Sequence, residues 1–414
     1  MRAKFEMALA ASQRWPQWLA QLNEFVEKEQ PLQITYGTYV LLNSRNGGID
    51  DDNFKAIEQA LIQQQLAYQV ANPAEIKGLM PVVDYRPLRA LYLPQEGCLN
   101  PLLLLNRLEK YLQKRHCHLV PHRVLKLSRQ AGGDFSLSLT NQEQITSKQT
   151  VIAAGAYSQR LVEQFPELRE NIPLILSSVG CSMVLRTHAI QLNSVLRTPN
   201  RAGACGNHLV PYGKDLIYAG ATGYFSYQPE TQTRVRYLYN LQKNIIHQFN
   251  KNLENAKIEK ILIGNRPVTV DGFPLIGGTS IPGLWLLTGS YRDGFHDSPL
   301  LGEYLAAQIV GDSAVLLDHP FSPIRHPLQM MSQQQSIDEA VHHTLATNYE
   351  YGMTVPINGV YMEETYAYGL TKRFQEIYDI LEIDYSLAVE MLVLLLRTDR
   401  HTLLKFKELI NSQL

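Results

Sequence analysis

Hydrophobic residues along the chain alternate between helical spacing and short β-type runs, and only the helical spacing continues beyond residue 335. In residues 1–28 the apolar positions recur about every 3.6 residues, which predicts an amphipathic helix with a kink or restart at Pro16. β-Branched and aromatic runs predict strands near 34–42, 91–94, 124–127, 135–139, 150–154, 181–185, 208–211 and 216–220. Helices are predicted near 52–65, 101–112 and 234–249, then near 336–348, 362–382, 386–396 and 399–412. This pattern predicts an α+β (mixed α/β) fold followed by an all-α extension.

The stretch from residue 264 to residue 311 places a short apolar strand directly before a helix. Leucine and tryptophan fill positions 284–287, and glycines bound the run, which is typical of a strand buried on both faces. Ser298 is predicted as the N-cap and Pro299 as the first residue of a helix that Gly311 ends. The strand therefore delivers residues 288–294 to the positive end of a helix, where an anion or an electron-rich ring is stabilised.

A second informative segment covers residues 150–158, where a β-branched run passes into Ala153, Ala154, Gly155 and Ala156. Small side chains at the end of a strand let another group approach the backbone closely. Tight packing of the strand on the following helix, without any ligand, explains the same residues equally well. The segment alone therefore leaves a binding role and a packing role open.

Composition narrows the class of protein. The chain has 414 residues, 45% hydrophobic and 19% charged, with a formal net charge of −1, as in globular proteins of two or three domains. Lysine and arginine are dispersed, so no nucleic-acid surface is expected. The four cysteines form no C-x-x-C pair, so we expect reduced thiols and a cytoplasmic location. Residues 116–118 (His-Cys-His) would point alternately to opposite faces of a strand, so we expect no metal site there. No apolar run reaches the length of a membrane span or a signal peptide.

Four segments occur in an order and spacing that identify a family resemblance: VIAAGAYS, HLVPYGKDLIYAGATG, GNRPVTVDGFPLIG and GLWLLTGSYRDGF. Together they resemble the glycine oxidase / D-amino-acid oxidase-like family of FAD-dependent oxidoreductases, from residue 1 to about residue 325. The resemblance implies an FAD-binding α/β domain interleaved with a mostly antiparallel substrate domain. On this basis residues 1–30, 95–172 and 262–325 belong to the FAD-binding part, residues 31–94 and 173–261 to the substrate domain, and residues 326–414 to a helical extension.

One family feature does not occur in the sequence: a G-x-G-x-x-G turn between a strand and a helix, which holds the FAD pyrophosphate. The first helix resembles the family segment that follows this unit. Three explanations compete: a second polypeptide supplies the unit, the chain is a fragment, or the chain has lost flavin and acts as a scaffold. The first two are favoured because the flavin-facing and substrate-facing segments keep their character, and because the missing strand would cover a hydrophobic sheet edge.

The resemblance also implies roles for individual residues. Arg266 matches the family arginine that binds the substrate carboxylate, a role that suits a bidentate, permanently charged guanidinium. His208 stands where the family has a substrate-contacting tyrosine, and Arg292 is a second candidate for the site wall. The family has aliphatic residues where this chain has His296 and Asp297, and Asp297 either caps the helix or repels an anionic flavin. The cofactor-binding candidates are Val124, Ala154, Gly155, Ala156, Gly264, Gly289, Tyr291, Arg292, Asp293, Gly294, Phe295 and His296.

The implied activity is the oxidation of an amine or amino acid by hydride transfer to flavin N5, in one subunit of a split enzyme. The expected partners are a small amine or amino-acid substrate, FAD and a second polypeptide that carries the dinucleotide-binding motif. A flavin-free scaffold or fragment that binds a partner is the non-enzymatic alternative. A tRNA-modifying oxidase of the same superfamily is a further alternative, which the near-neutral charge disfavours. Deletion of residues 330–414 is expected to leave the flavin fold intact.

Overall fold

A computed structural model describes residues 2–24, 31–201, 206–315, 317–356 and 359–411 of the chain. Residues 1 and 25–28 of the predicted first helix and residue 412 of the predicted last helix lie outside the described residues. The α-helices are α1 (Arg2–Glu24), α2 (Gly48–Gln63), α3 (Pro101–Lys114), α4 (Ser158–Val162), α5 (Pro166–Arg169), α6 (Val235–Gln248), α7 (Gly294–Val310), α8 (Gln333–Glu350), α9 (Val360–Leu381), α10 (Val389–Leu395) and α11 (Arg400–Asn411). The strands are β1 (Thr35–Asn43), β2 (Gln69–Ala71), β3 (Pro87–Cys98), β4 (Val124–Arg129), β5 (Phe135–Leu139), β6 (Gln144–Ser147), β7 (Thr150–Ile152), β8 (Ile175–Arg186), β9 (Val195–Arg197), β10 (His208–Gly213), β11 (Leu216–Gly220), β12 (Tyr224–Ser226), β13 (Lys257–Thr269), β14 (Leu275–Gly278) and β15 (Leu284–Thr288).

The largest sheet has nine strands and is mostly antiparallel, as the resemblance implies. β13 runs antiparallel along β8 for the full length of β8. The other edge of β8 pairs first with β12 and then with β11. From β11 the order continues through β10, β9, β1 and β3 to β2, and only the β1–β9 pair is parallel.

Two three-stranded sheets form the second part of the fold. One has the order β14-β15-β7, in which β15 and β7 are parallel, and the other is the antiparallel meander β4-β5-β6. Leu127 and Phe135 of the meander share a hydrophobic core with Ile152 of β7 and Leu286 of β15. Because parallel strands end at the same edge, the carboxyl ends of β7 and β15 lie together.

One face of the large sheet is buried against α6. Met183, Leu209 and Ala219 project from the sheet into a core that Leu241 and Phe249 complete, and all five are nearly inaccessible to solvent. Helix α6 packs in this way because its apolar residues recur every three or four positions and so form one apolar face. The opposite face of β9, β10 and β11 carries partly exposed side chains and is called here the front face.

Helix α1 is continuous through Pro16, so the predicted start of a second helix at this position is wrong. Trp15 and Leu19, on either side of the proline, are both buried in one cluster, so both halves of the helix pack against the same core. Packing against a core thus outweighs the loss of one backbone hydrogen bond at proline.

The predicted start of α7 at Pro299 is also wrong, because the helix begins at Gly294 after Asp293. Pro299 cannot donate a backbone hydrogen bond to the carbonyl of Phe295 four residues earlier. The Ser298 hydroxyl donates to that carbonyl instead, at 2.9 Å. Ser298 therefore repairs the interior of the helix and does not cap it.

Four helices follow residue 332 in the described ranges, as the sequence predicts, and they share a core with the large sheet. Leu176 of β8, Val268 of β13 and Tyr291 lie in the same buried cluster as Phe374 of α9 and Leu392 of α10. Truncation at residue 330 would expose this cluster to water, so the expectation that the fold tolerates deletion of residues 330–414 is not supported. No helix in the described ranges is long and apolar enough to cross a membrane.

The shared core leads to a test of cooperativity. Phe406 of α11 is fully buried, and its ring lies 5.5 Å from that of Phe225 on β12. Phe406→Ala should lower the free energy of unfolding by about 3–5 kcal/mol and shift a single denaturation transition. The control is Leu404→Ala, at a position that is 43% exposed on the same helix, where less than about 1 kcal/mol is expected. A separate early transition of the helices alone would contradict the shared core.

Candidate active site

The front face of the large sheet brings Arg197, His208 and Gly220 into one row. His208 on β10 lies directly opposite Arg197 on β9 and Gly220 on β11. Directly opposite residues of antiparallel strands project to the same face of a sheet. Their neighbours Leu196 and Leu209 point the other way and are fully buried, whereas the side chains of Arg197 and His208 are half-buried.

Arg266 lies near this row but at a different register, on β13 at the far side of β8. It lies opposite Ser178, and its guanidinium occupies the space where a side chain at Gly180 would begin. Arg266 Nη1 donates to the carbonyl oxygen of Thr222 at 3.1 Å. A glycine at position 180 is therefore required for Arg266 to lie flat across the sheet, since any Cβ there would collide with the guanidinium.

His208 is held as a neutral imidazole beside Arg266. Its Nδ1 lies 3.3 Å from the Gly206 carbonyl, its Nε2 lies over Gly220, and its ring stacks on Tyr218 at 5.8 Å. Burial and, to a smaller extent, the charges of Arg266 and Arg197 together lower the pKa of His208 to about 4, although the Gly206 hydrogen bond opposes them. Near neutral pH, Nδ1 thus carries the proton and donates to Gly206, and Nε2 is left as an acceptor.

The carboxyl ends of β7 and β15 form a second edge next to this face. Thr288 Oγ1 at the end of β15 donates to the Gly155 carbonyl at 3.0 Å and accepts from Ser158 Oγ at 3.2 Å. Ala154 is exposed at this edge, and Ala156 is buried behind it. Ligands of open α/β sheets bind at such carboxyl edges, so a cofactor-binding role for these small residues stays a prediction that their position allows.

The turn from β15 into α7 connects this edge to Arg266. Gly289 and Tyr291 both have positive φ angles, 71° and 51°. The Tyr291 amide donates to the carbonyl of Pro267, the residue after Arg266, at 2.8 Å. Gly294, the first residue of α7, follows directly. The predicted cofactor loop is therefore fixed against the strand that carries the predicted carboxylate ligand.

The residues at the carboxyl edge fit the ring-bearing half of FAD. Side chains added at Gly155 or Gly264 would meet no atom within 4 Å, so both positions border open space. Val124 lies on β4 of the adjoining meander. For the phosphates, no G-x-G-x-x-G motif occurs in the 414 residues. The fit of this chain to the cofactor is thus restricted to its ring half.

Helix α1 contacts the first turn of α7, where flavin contacts are predicted. Lys4 pairs with Asp293 at 2.8 Å, and the Trp15 ring lies 5.5 Å from that of Phe295. Trp15 Nε1 donates to the His296 carbonyl at 2.9 Å, and His296 Nε2 lies 2.8 Å from a carbonyl oxygen of α1. The side chains of Asp293, Phe295 and His296 are therefore engaged by the protein itself.

Asp297, in the first turn of α7, is buried, and one oxygen of its carboxyl group accepts no hydrogen bond from the described residues. Its side chain is 1% exposed, and Oδ1 has no hydrogen-bond partner within the described part of the chain. Burial raises the pKa of Asp297 to about 6, and the charge of Asp293 adds to this effect, whereas His296 and Lys4 oppose it. Asp297 is the fourth residue of α7 and does not cap it.

Arg292 is directed toward the helical extension. Its Nη1 donates to the Arg201 carbonyl at 3.2 Å, and its Nη2 lies 3.9 Å from Glu390 of α10. Its guanidinium also lies 4.8 Å from the Tyr291 ring. The charges that act on His208 are those of Arg266 and Arg197, so the structure groups these three residues and gives Arg292 different contacts.

The sequence did not reveal Arg197, Tyr218 or the Thr222 carbonyl as parts of this site. Arg197 lies in a three-residue strand without a motif, and only the pairing of β9 with β10 places it beside His208. Tyr218 and Gly220 are two positions apart on β11 and therefore project to the same face of the sheet. This two-residue spacing is the sequence pattern that could have indicated Tyr218.

Comparisons with known proteins agree with this geometry. A family model described as DAO, FAD dependent oxidoreductase, matches residues 2–308. Glycine oxidase from Geobacillus kaustophilus is similar in structure, with a TM-score of 0.66, 21% identity, and coverage of 78% of this chain and 83% of that one. Iminodiacetate oxidase from Chelativorans sp. BNC1 has a TM-score of 0.65 and 17% identity, covering 78% and 85%. L-proline dehydrogenase from P. horikoshii has a TM-score of 0.62 and 15% identity, covering 78% and 83%. These likenesses establish a shared fold.

The buried carboxyl of Asp297 makes stability depend on pH. Because its pKa is raised from 3.8 to about 6 on folding, its contribution to stability is complete below pH 3.8 and is lost as the pH rises through 6. Asp297→Asn should therefore raise the free energy of unfolding by about 1–2 kcal/mol at pH 8 and change it little at pH 4. Urea denaturation at the two pH values measures this difference.

The matched control for this measurement is Glu303→Gln, on the same helix. Glu303 forms an exposed ion pair with Arg14 of α1 at 2.6 Å. Its loss should change stability by less than about 0.5 kcal/mol and without the same rise at alkaline pH. Equal effects of Asp297→Asn at both pH values would show that the carboxyl is not held protonated by its surroundings.

Proposed function

Because this chain belongs to the DAO family of FAD-dependent oxidoreductases, we propose that it oxidises an amine or amino acid bound on the front face of the large sheet. The observation that carries the proposal is Arg266, whose guanidinium lies over Gly180 and adjoins the β15–α7 turn through Pro267. A guanidinium in this position can bind a carboxylate through paired N–H donors. When bound, FAD supplies the oxidant that accepts hydride from the carbon bearing the amine.

The charges around His208 suit an amine that must lose its proton before oxidation. Burial, assisted by two guanidiniums, keeps His208 neutral, so its Nε2 can accept a hydrogen bond from a substrate N–H. The same positive charges disfavour an ammonium group and lower the pKa of a bound amine. Arg266 and His208 thus have separate tasks: Arg266 binds the carboxylate, and His208 orients the neutral amine.

We further infer that a second polypeptide supplies the phosphate-binding unit. The supporting observations are the absence of G-x-G-x-x-G from the 414 residues and the position of β7 at the end of its sheet among the described strands. β7 carries the exposed Val151, and helix α3 exposes Leu102, Leu103 and Leu105. A parallel strand added to β7 would satisfy its open edge and bring a helix N-terminus to the FAD phosphates.

Substitution of Arg266 tests the substrate site. Arg266→Ala should weaken the binding of 2-aminobutyrate by more than about tenfold, because the substrate carboxylate loses its charged partner. Propylamine, which lacks only the carboxylate, should bind wild type and variant alike. Arg186→Ala removes an exposed arginine from the end of the neighbouring strand β8 and should leave both affinities unchanged. Isothermal titration measures these affinities, and an unchanged affinity of Arg266→Ala for 2-aminobutyrate would refute the assigned role.

Flavin absorbance tests the second polypeptide. The chain purified alone should show no flavin spectrum, and co-expression with a polypeptide carrying G-x-G-x-x-G should produce one. Val151→Lys at the edge of β7 should abolish this gain, whereas Val235→Lys, at a position that is 84% exposed on α6, should preserve it. A flavin spectrum from the chain alone would refute the inference that a second polypeptide is required. A G-x-G-x-x-G motif encoded in the same polypeptide would refute it as well. Absence of flavin in every combination would favour the flavin-free scaffold.

A further inference from the structure

Arg197 has one side of its guanidinium fixed and the other side without a partner. Nε and Nη2 donate to the two carboxylate oxygens of Glu96 at 2.9 and 3.1 Å. Nη1 is buried and has no hydrogen-bond acceptor among the residues that the structure describes. A buried donor without an acceptor typically costs about 1–3 kcal/mol, so such an atom calls for an explanation.

Two other buried guanidiniums of this protein, those of Arg201 and Arg325, are bound by carboxylates. Arg201 donates to Asp50 and Glu350, and Arg325 donates to both oxygens of Asp271. Arg197 differs from them because its Nη1 remains unpaired although Glu96 already fixes the orientation of the guanidinium. This arrangement is that of a preformed donor that awaits an acceptor from outside the chain.

The position of Arg197 puts this donor in the substrate site. Arg197 faces His208 directly across the β9–β10 pair, and its charge acts on the His208 ring together with that of Arg266. His208 is therefore flanked by two guanidiniums on the front face, and both groups that act on it electrostatically are positive. A substrate with one carboxylate would satisfy Arg266 and leave Arg197 Nη1 unpaired.

We propose that the substrate is an amino or imino acid with two carboxylates, one bound by Arg266 and the other by Arg197 Nη1, with the amine at His208 between them. This inference rests on the proposed function and specifies its substrate class. Glu96 holds the Arg197 guanidinium by its Nε edge and leaves the Nη1 edge for the ligand.

Pairs of ligands that differ by one carboxylate test the proposal on the purified chain, together with its flavin partner where the two co-purify. The pairs are iminodiacetate with N-ethylglycine, aspartate with 2-aminobutyrate, and glutamate with norvaline, the chiral ligands in both configurations. In at least one pair the diacid should bind 10-fold or more tightly than its monoacid in isothermal titration. Arg197→Gln should weaken the binding of the diacid more than that of the monoacid and so abolish this preference, whereas Arg186→Gln should alter neither affinity.

A second variant keeps the test decisive if Arg197→Gln does not fold. Glu96→Gln retains Arg197 and removes a negative charge beside it, so diacids should bind several-fold more tightly and monoacids as before. If diacids and monoacids bind equally in every pair, and neither variant changes this, the diacid proposal is overturned. Should Arg266→Ala still weaken both ligands in that case, the proposed function stands. If no ligand of either kind binds, both are overturned.

Discussion

The buried guanidinium of Arg201 is the interaction on which the arrangement of the molecule depends. It donates to both oxygens of Asp50 at 2.5 and 2.8 Å and to Glu350 at 2.6 Å. Burial lowers the pKa of Arg201, but the charges of Glu350 and Asp50 raise it by more, so the group remains charged. Asp50 lies in α2 and Glu350 ends α8, and a single side chain thereby joins α2 to the helical extension. Loss of one partner of such a buried pair typically costs about 3–5 kcal/mol.

This network extends to the candidate active site. Asn207 and Gln248 both donate to Glu350, and Asn207 precedes His208 at the start of β10. The carbonyl of Arg201 also accepts from Arg292 in the turn before α7. The strand that carries the imidazole and the turn that borders the cofactor edge are therefore anchored to the same buried charges. The helical extension is thus part of the scaffold that positions the site.

The site itself combines a rigid sheet with positive charge. Gly180 and Gly220 allow the Arg266 guanidinium and the His208 ring to lie against the backbone, so neither side chain can rotate freely. Two guanidiniums and a neutral imidazole in a half-buried setting favour anionic groups and a neutral amine. On the cofactor side, α1 secures the first turn of α7, and the buried Asp297 beside it remains uncompensated. The family aliphatic residue would avoid this carboxylate, which makes Asp297 a distinctive feature of the chain.

The sequence by itself determined the elements and the family. The four C-terminal helices, the buried strand β15 and the small residues after β7 follow from side-chain periodicity and turn residues, which act over a few positions along the chain. The ordered motifs also identified Arg266 and His208 as candidates. Only the tertiary structure decided that α1 continues through Pro16, that α7 begins at Gly294, and that Arg197 faces His208. These features depend on strand register and on packing between residues far apart in sequence, and local propensity carries no information about either.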